Sequence, residues 1–359
     1  MTFMTDRKSI RGFYLWIVFS LLGCVPSLAG AVTLTLYSAT DRAAIQPVIE
    51  AFNRKYPGIV VRYEEFQSNT LYRVLAGEAD DPTPGQPQPD LIISSAMDLQ
   101  TKLVNDGQAQ PYQSEYTDSL PDWANWRNEA FGFTFEPVVF AYRKDLFVDQ
   151  PLPDSHERLT ELLRSNSKFY SNRIGTYNVN ISGVGYLFAT QDAIRSSLNG
   201  RLLESLGRVH AKTYCCTDDI LRDLTDGKLV LGYNLLGSYA LARIREHPEL
   251  GVLLPKDYTL VMSRVAFIHK LAKEPGWAGV FLDFLLSPEA QNIMASQSGL
   301  VPLRTDAEGT YSRAAIDEKY STSYQPIGLK PTLLVYLDRL KRARFLKEWR
   351  DAIFFDEAL

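Results

Sequence analysis

Cysteine and histidine are scarce in this 359-residue chain, which has three Cys, two of them adjacent (Cys215 and Cys216), and four His. Three cysteines build neither a disulfide framework nor a four-ligand zinc cluster. An excess of one charge is lacking too: 38 Lys+Arg stand against 42 Asp+Glu, a formal net charge of −4. No global basic field is left to hold a phosphate backbone, so nucleic acid is not an expected partner. The sequence has no Gly-x-Ser-x-Gly, His-Glu-x-x-His or P-loop pattern. Ser165-Asn166-Ser167-Lys168 matches Ser-x-x-Lys, but no Ser-Asp-Asn or Lys-Thr-Gly follows it, and no carboxylate pair is set at strand ends. The sequence therefore points away from catalysis.

What is present is a globular composition, 45% apolar and 12% aromatic, in a length that favours two domains. The first residues read as an address. Arg7, Lys8 and Arg11 precede an apolar run from Gly12 to Val25, and Ser27-Leu28-Ala29 or Ala29-Gly30-Ala31 offers a small-x-small cleavage pattern. We expect residues 1–29 to be a secretory signal peptide, with a single uncleaved anchor helix as the other reading. Leu21-Leu22-Gly23-Cys24 resembles an imperfect lipoprotein box, which leaves open a lipid anchor at Cys24. No later run reaches the roughly 20 apolar residues of a membrane span, so a soluble protein outside the cytoplasm is expected. There Cys215 and Cys216 would form a vicinal disulfide or remain buried thiols, and the second is the simpler expectation.

From Val32 the pattern alternates. Val32–Tyr37 is a β-branched strand, Ser38-Ala39-Thr40-Asp41 can cap a helix, and Ile45, Val48, Ile49 and Phe52 recur at helical spacing until Tyr56-Pro57-Gly58. Ile59–Tyr63 is a second strand, Ser68-Asn69-Thr70 opens a helix, and Asp90–Ile93 is a third strand leading to Ser94-Ser95. The Pro-rich stretch 80–88 reads as an exposed loop. A β-α-β-α-β order gives a parallel sheet whose ligands sit beyond the carboxyl ends of the strands. Phe131–Tyr142 is strongly strand-like and is read as a crossing into a second αβ unit. That unit has a strand at 173–177, a helix opening at Ser182-Gly183, a helix around Leu202, a helix from Thr217, a strand at 228–233 and a helix at 237–245. Leu260–His269 is read as the return crossing, and helices at 276–286 and 288–296 complete the first unit.

Tyr37-Ser38-Ala39-Thr40, Ser94-Ser95, the stretch Gly232 to Ala240, Phe281 to Gln291 and Val301-Pro302-Leu303-Arg304 occur in that order after the leader. Together they resemble the extracellular solute-binding proteins of ABC transporters, and within them the branch holding ferric-iron binders and phosphoglycerate-transport regulatory proteins. The resemblance implies the type 2 periplasmic-binding fold, an α/β architecture of two lobes with two hinge crossings. On it we expect lobe 1 over 30–138, lobe 2 over 139–262, a return to lobe 1 over 263–330, and a C-terminal helical extension over 331–359 packing on lobe 1. It also implies reversible capture of a small solute, delivery to a membrane ABC permease, and no cofactor. For the branch of phosphoglycerate regulators it implies a membrane sensor kinase as an alternative partner, with the helix carrying Trp349 as its contact.

The residues themselves suggest the ligand's charge. Helix starts carry free N–H groups and the positive end of the dipole, and hydroxyls add donors. Ser38, Thr40, Ser68, Ser95, Ser182 and Gly183 sit at such starts, and Tyr233 and Asn234 would reach in from the end of a second-lobe strand. These eight are the expected ligand-binding residues, for a phosphorylated or carboxylated small molecule, with Arg42, Arg73 or Arg173 as charge partners. A ferric ion needs several anionic oxygen ligands. The ferric binders of the family bring two adjacent Tyr where this chain has Asn234-Leu235-Leu236, so iron requires Tyr233 and Tyr239 to converge instead.

Overall fold

The computed structural model describes residues 1–2, 31–78 and 87–354. Residues 3–30, which hold most of the expected leader and Cys24, and residues 80–86 of the Pro-rich loop lie outside them. Among the described residues no helix is long and apolar enough to cross a membrane.

The first half of the chain lays down β1 (Val32–Ser38), α1 (Arg42–Lys55), β2 (Ile59–Glu65), α2 (Ser68–Leu75), β3 (Leu91–Ser94), α3 (Met97–Asn105), α4 (Glu115–Asp118), β4 (Asn125–Trp126) and β5 (Ala130–Gly132). β1 pairs in parallel with β2 and β3, as alternating strands and helices require. Ile45, Val48, Ile49 and Phe52 of α1 are all buried, so the period read from the sequence is the face that packs. Phe52 meets Phe281 and Phe284 edge to face at centroid distances of 4.8 and 5.5 Å, which ties α1 to helices from much later in the chain.

The second unit comprises β6 (Glu136–Arg143), α5 (His156–Ser165), α6 (Ser167–Tyr170), β7 (Ile174–Tyr177), α7 (Gly183–Arg195), α8 (Asn199–Arg208), β8 (Lys212–Tyr214), α9 (Thr217–Thr225), β9 (Leu231–Leu236), α10 (Gly237–Glu246), β10 (Leu250–Leu253) and β11 (Thr259–Met262). Then β12 (Val265–Ile268) rejoins the first sheet, followed by α11 (Pro275–Leu286) and α12 (Pro288–Ile293). The tail adds α13 (Arg313–Lys319), β13 (Tyr324–Pro326), a short 3₁₀ turn at Pro331–Leu337 and α14 (Arg339–Ile353). Two sheets result, ordered β2-β1-β3-β12-β5-β4 and β13-β11-β6-β9-β7-β8, with β10 beside β6.

The chain changes sheets twice over short extended spans. Phe133-Thr134-Phe135 links β5 to β6, and Ser263-Arg264 links β11 to β12. The first change comes earlier than the expected boundary at 138, because Glu136–Val138 already belongs to the second sheet. The Leu260–His269 run is thus two strands, one in each sheet. Residues 263–330 also do not all return to the first lobe, since β13 adds in parallel to β11 at the edge of the second sheet.

The C-terminal extension is a further correction. Asp338 breaks it by accepting from Leu340 N and Lys341 N as the cap of α14. The preceding turn packs on α3 of the first lobe, but Phe345, Trp349 and Ile353 bury themselves in the second-lobe core against α8. Gly207 permits that approach, since a Cβ there would lie 2.0 Å from the carbonyl oxygen of Ala352. The apolar spacing showed which face packs but carried no information on which lobe receives it.

Candidate functional site

Six helices begin at the seam between the two sheets. α1, α2 and α3 follow β1, β2 and β3 in the first lobe, and α7, α9 and α10 start from the second. Asp41, Ser68, Ser95, Ser182, Thr217 and Tyr239, from or beside those six starts, line one narrow cleft of about 100 Å3. The first turns of α1, α2, α7 and α10 contain no acidic residue, so their positive ends are not cancelled from within. The cleft is shut. Asn69 Nδ2 donates to Ile181 O across it at 2.8 Å, and Gly183 comes so near α2 that a Cβ would stand 2.7 Å from Ser68 Oγ. A larger hollow of about 550 Å3 lies beside Trp123, Phe135, Arg304 and Arg313, and none of these six helix starts faces it.

The floor of the cleft is built by the second crossing. Arg264 is fully buried, and its Nε donates to Glu136 Oε1 at 2.6 Å while Nη1 donates to Thr40 Oγ1 at 2.8 Å. Ser238 donates to the other oxygen of Glu136, and the guanidinium lies over the Tyr239 ring, 5.2 Å from its centroid. Burial works against the Arg264 charge, but Glu136 beside it more than offsets this and raises the pKa above the ordinary arginine value. The third nitrogen, Nη2, is buried with no acceptor in hydrogen-bond geometry, and the neighbouring Tyr239 adds to what Glu136 does for the charge. Buried donors in native proteins are nearly always satisfied, so such a group calls for a partner. Tyr239 is pushed up to about 12 by burial, with Arg264 opposing and Asp41 adding to the rise. At the rim, Asp218 pairs with Arg243 and Glu65 accepts from Arg42 N, so these carboxylates are already partly compensated.

The eight expected residues divide. Ser68, Ser95 and Ser182 line the cleft, and Gly183 stands directly behind Ser182 against the other lobe. The hydroxyls of Ser68 and Ser95 have no bond within the described residues, whereas Ser182 Oγ caps α7 by accepting from Gly185 N at 3.2 Å. Ser38 and Thr40 are behind the wall. Ser38 Oγ accepts from Thr40 N, and Thr40 Oγ1 is spent on Arg264, so both support the floor without facing the cavity.

Tyr233 and Asn234 are placed elsewhere. β9 runs to Leu236, three residues past its expected end, so the cleft receives Leu236 and Tyr239. Asn234 adopts φ 59° where the β6–β9 pairing slips, which breaks the alternation of faces. As a result Tyr233 OH and Asn234 Nδ2 both donate to Asp192 Oδ2, the former at 2.8 Å, and Tyr258 OH takes Oδ1 at 2.8 Å. That cluster sits beside Trp349 and Ile353 of α14. Tyr233 and Tyr239 therefore do not converge. Arg42 is turned to Tyr63 O, Arg173 lies over Phe169, and Arg73 is in the last turn of α2, so none of the three expected charge partners lines the cleft. Arg264 was missed, although a lone arginine inside the apolar run 260–269 was its visible signal.

The model of the bacterial extracellular solute-binding protein family matches residues 34–299. This chain is a bacterial extracellular solute-binding protein. It is similar to the crystal structure of the substrate-binding protein of an ABC transporter from Agrobacterium tumefaciens, with 36% identity, 91% of this chain and 96% of that one covered, and a TM-score of 0.83. Two more distant neighbours share the fold. AfuA from Actinobacillus pleuropneumoniae, solved with exogenous fructose-6-phosphate bound, has 17% identity and a TM-score of 0.72 over 89% of this chain and 98% of that. Iron-bound HitA from Pseudomonas aeruginosa has 22% identity and a TM-score of 0.69 over 89% and 99%. No curated protein matches the sequence. As an ABC-type solute-binding protein it has a periplasmic location, takes up a small ligand and delivers it to a membrane permease.

Proposed function

We propose that this solute-binding protein captures a small anionic molecule, a phosphate ester or a carboxylate, in the cleft between its lobes and releases it unchanged. The observation that carries this reading is Arg264, a buried charge lining the cleft whose Nη2 has no acceptor in hydrogen-bond geometry. An anion there satisfies the orphan N–H and meets the N-terminal dipoles together, and the dry surroundings strengthen both. Ser68, Ser95 and Ser182 supply donors from both lobes. Opening about the two crossings, Phe133-Thr134-Phe135 and Ser263-Arg264, would admit the ligand, and closure brings Ser182 against Ser68. Because Arg264 belongs to a crossing, the ligand's charge acts where the lobes hinge. No acid, base or nucleophile in the cleft is set up for a covalent step, so the solute should leave as it entered.

Native mass spectrometry of the protein as purified, followed by melting curves with phosphate esters, carboxylates and ferric salts, tests the proposal. A ligand that binds only the folded form adds about 2.7 kcal/mol at a hundredfold excess over Kd. Stabilisation by anions is expected. Stabilisation confined to neutral or cationic solutes overturns the reading.

A further inference from the structure

The second-lobe wall carries two sulfurs and a carboxylate that the anion site does not use. Cys215 and Cys216 lie between β8 and α9, both line the cleft, and they are joined as a vicinal disulfide, not left as the buried thiols the sequence suggested. Asp219, in the first turn of α9, holds Oδ2 3.2 Å from Cys215 Sγ, while its Oδ1 is fixed by Arg222 Nη2 at 2.6 Å. The three ligand atoms all lie within 4.8 Å of one another. Across the cleft, Gln67 Oε1 of the first lobe stands 3.8 Å from Cys216 Sγ.

We propose that the dithiol form of this pair, with Asp219 Oδ2 and Gln67 Oε1, is a site for a soft divalent cation of the zinc and cadmium class, and that the disulfide form excludes it. Two thiolates and two oxygens make a four-coordinate set suited to such ions. Cys216 occupies the N-cap position of α9, and a helix start favours the thiolate that binding requires. Three donors come from one turn and the fourth from the opposite lobe, so the cation ties the lobes shut. The chemistry balances with a dithiol reductant: it passes two electrons and two protons to the disulfide and becomes a disulfide itself. The cation then displaces the two thiol protons. Reoxidation of the pair by a disulfide oxidant removes both thiolates and expels the ion.

The test needs no knowledge of the solute, so its outcome is separate from that of the anion reading. The full chain is reduced with a phosphine, freed of reductant under anaerobic conditions and titrated with cadmium(II) alone, following the ultraviolet thiolate-to-cadmium band and bound metal by elemental analysis. The expected result is one cadmium per reduced chain, none on the oxidised chain, and none on the Cys215→Ser/Cys216→Ser variant. Asp219→Asn should weaken binding by about tenfold or more. Thermal melting of the oxidised wild type and of each variant establishes that the folded protein is being compared. Equal cadmium uptake by the oxidised chain or by the folded double-serine variant would overturn the proposal.

Discussion

Asp192 in the second lobe and Arg264 at the crossing are both buried charges amid tyrosines, yet they end differently. Both oxygens of Asp192 are taken, by Tyr233, Asn234 and Tyr258, within one lobe and next to α14. Arg264, which lines the cleft, spends two nitrogens on Glu136 and Thr40 and leaves the third without an acceptor in hydrogen-bond geometry. The difference teaches that residue type does not separate a ligand site from a structural knot. Completeness of hydrogen bonding does.

The largest effect that can break this comparison comes from cutting the ion pair. Arg264→Met leaves Glu136 buried and unpaired, which should cost about 3–5 kcal/mol in chemical denaturation and remove anion binding. A loss below about 1 kcal/mol would mean that the pair is not buried as described. Replacing both partners, Arg264→Gln with Glu136→Gln, should recover much of the stability and none of the binding. Next in size, Asp192→Ala strips the acceptor from two buried donors and a half-buried one, Tyr258, and should cost about 2–3 kcal/mol, with the affinity for an anion unchanged. Any selective loss of affinity in that variant would erase the contrast.

Smaller changes sharpen it. Gly183→Ala places a methyl 2.7 Å from Ser68 Oγ in the closed form. It should weaken anion binding by about tenfold, or 1.4 kcal/mol, and enlarge the radius of gyration of the ligand-bound protein in solution scattering, with melting of the free protein unaltered. Unchanged affinity would show that the lobes need not approach so closely.

Asp98 provides the finest control, because its Oδ1 is also buried without a partner but does not line the cleft. Burial pushes its carboxyl up to about 7. The folded form then holds a proton that the unfolded chain loses near the ordinary aspartate range, so stability falls as pH rises through that interval to about 7 and levels off above it. Asp98→Asn should therefore raise the melting temperature at pH 8, have little effect near pH 4, and leave anion affinity alone. Stabilisation that is equal at both pH values would rule out a buried carboxylate.

Much of the architecture was legible because it is written in local period. The burial of Ile45, Val48, Ile49 and Phe52 and the start of α2 at Ser68 follow from spacing, and the start of α7 after Ser182 follows from capping chemistry. Ser68, Ser95 and Ser182 line the cleft for the same reason, since a strand end followed by a helix start fixes where a side chain points. The misses are long-range. Tyr233 and Asn234 failed because a bulge and a strand three residues longer than its apolar pattern rotated them onto Asp192. Arg264 was passed over because its partner Glu136 is 128 residues away, and nothing local announces a buried ion pair. The landing place of α14 likewise depends on Gly207, whose role is visible only once the two helices are together.

The central claim is that an unsatisfied guanidinium nitrogen at the hinge recruits the solute's negative charge. Calorimetric titration of the wild type and of the folded Arg264→Gln/Glu136→Gln variant, using the anion that most raises the wild-type melting temperature, tests it most directly. The account predicts saturable heat for the wild type and no measurable binding for the variant. Equal affinity in the two proteins would contradict it.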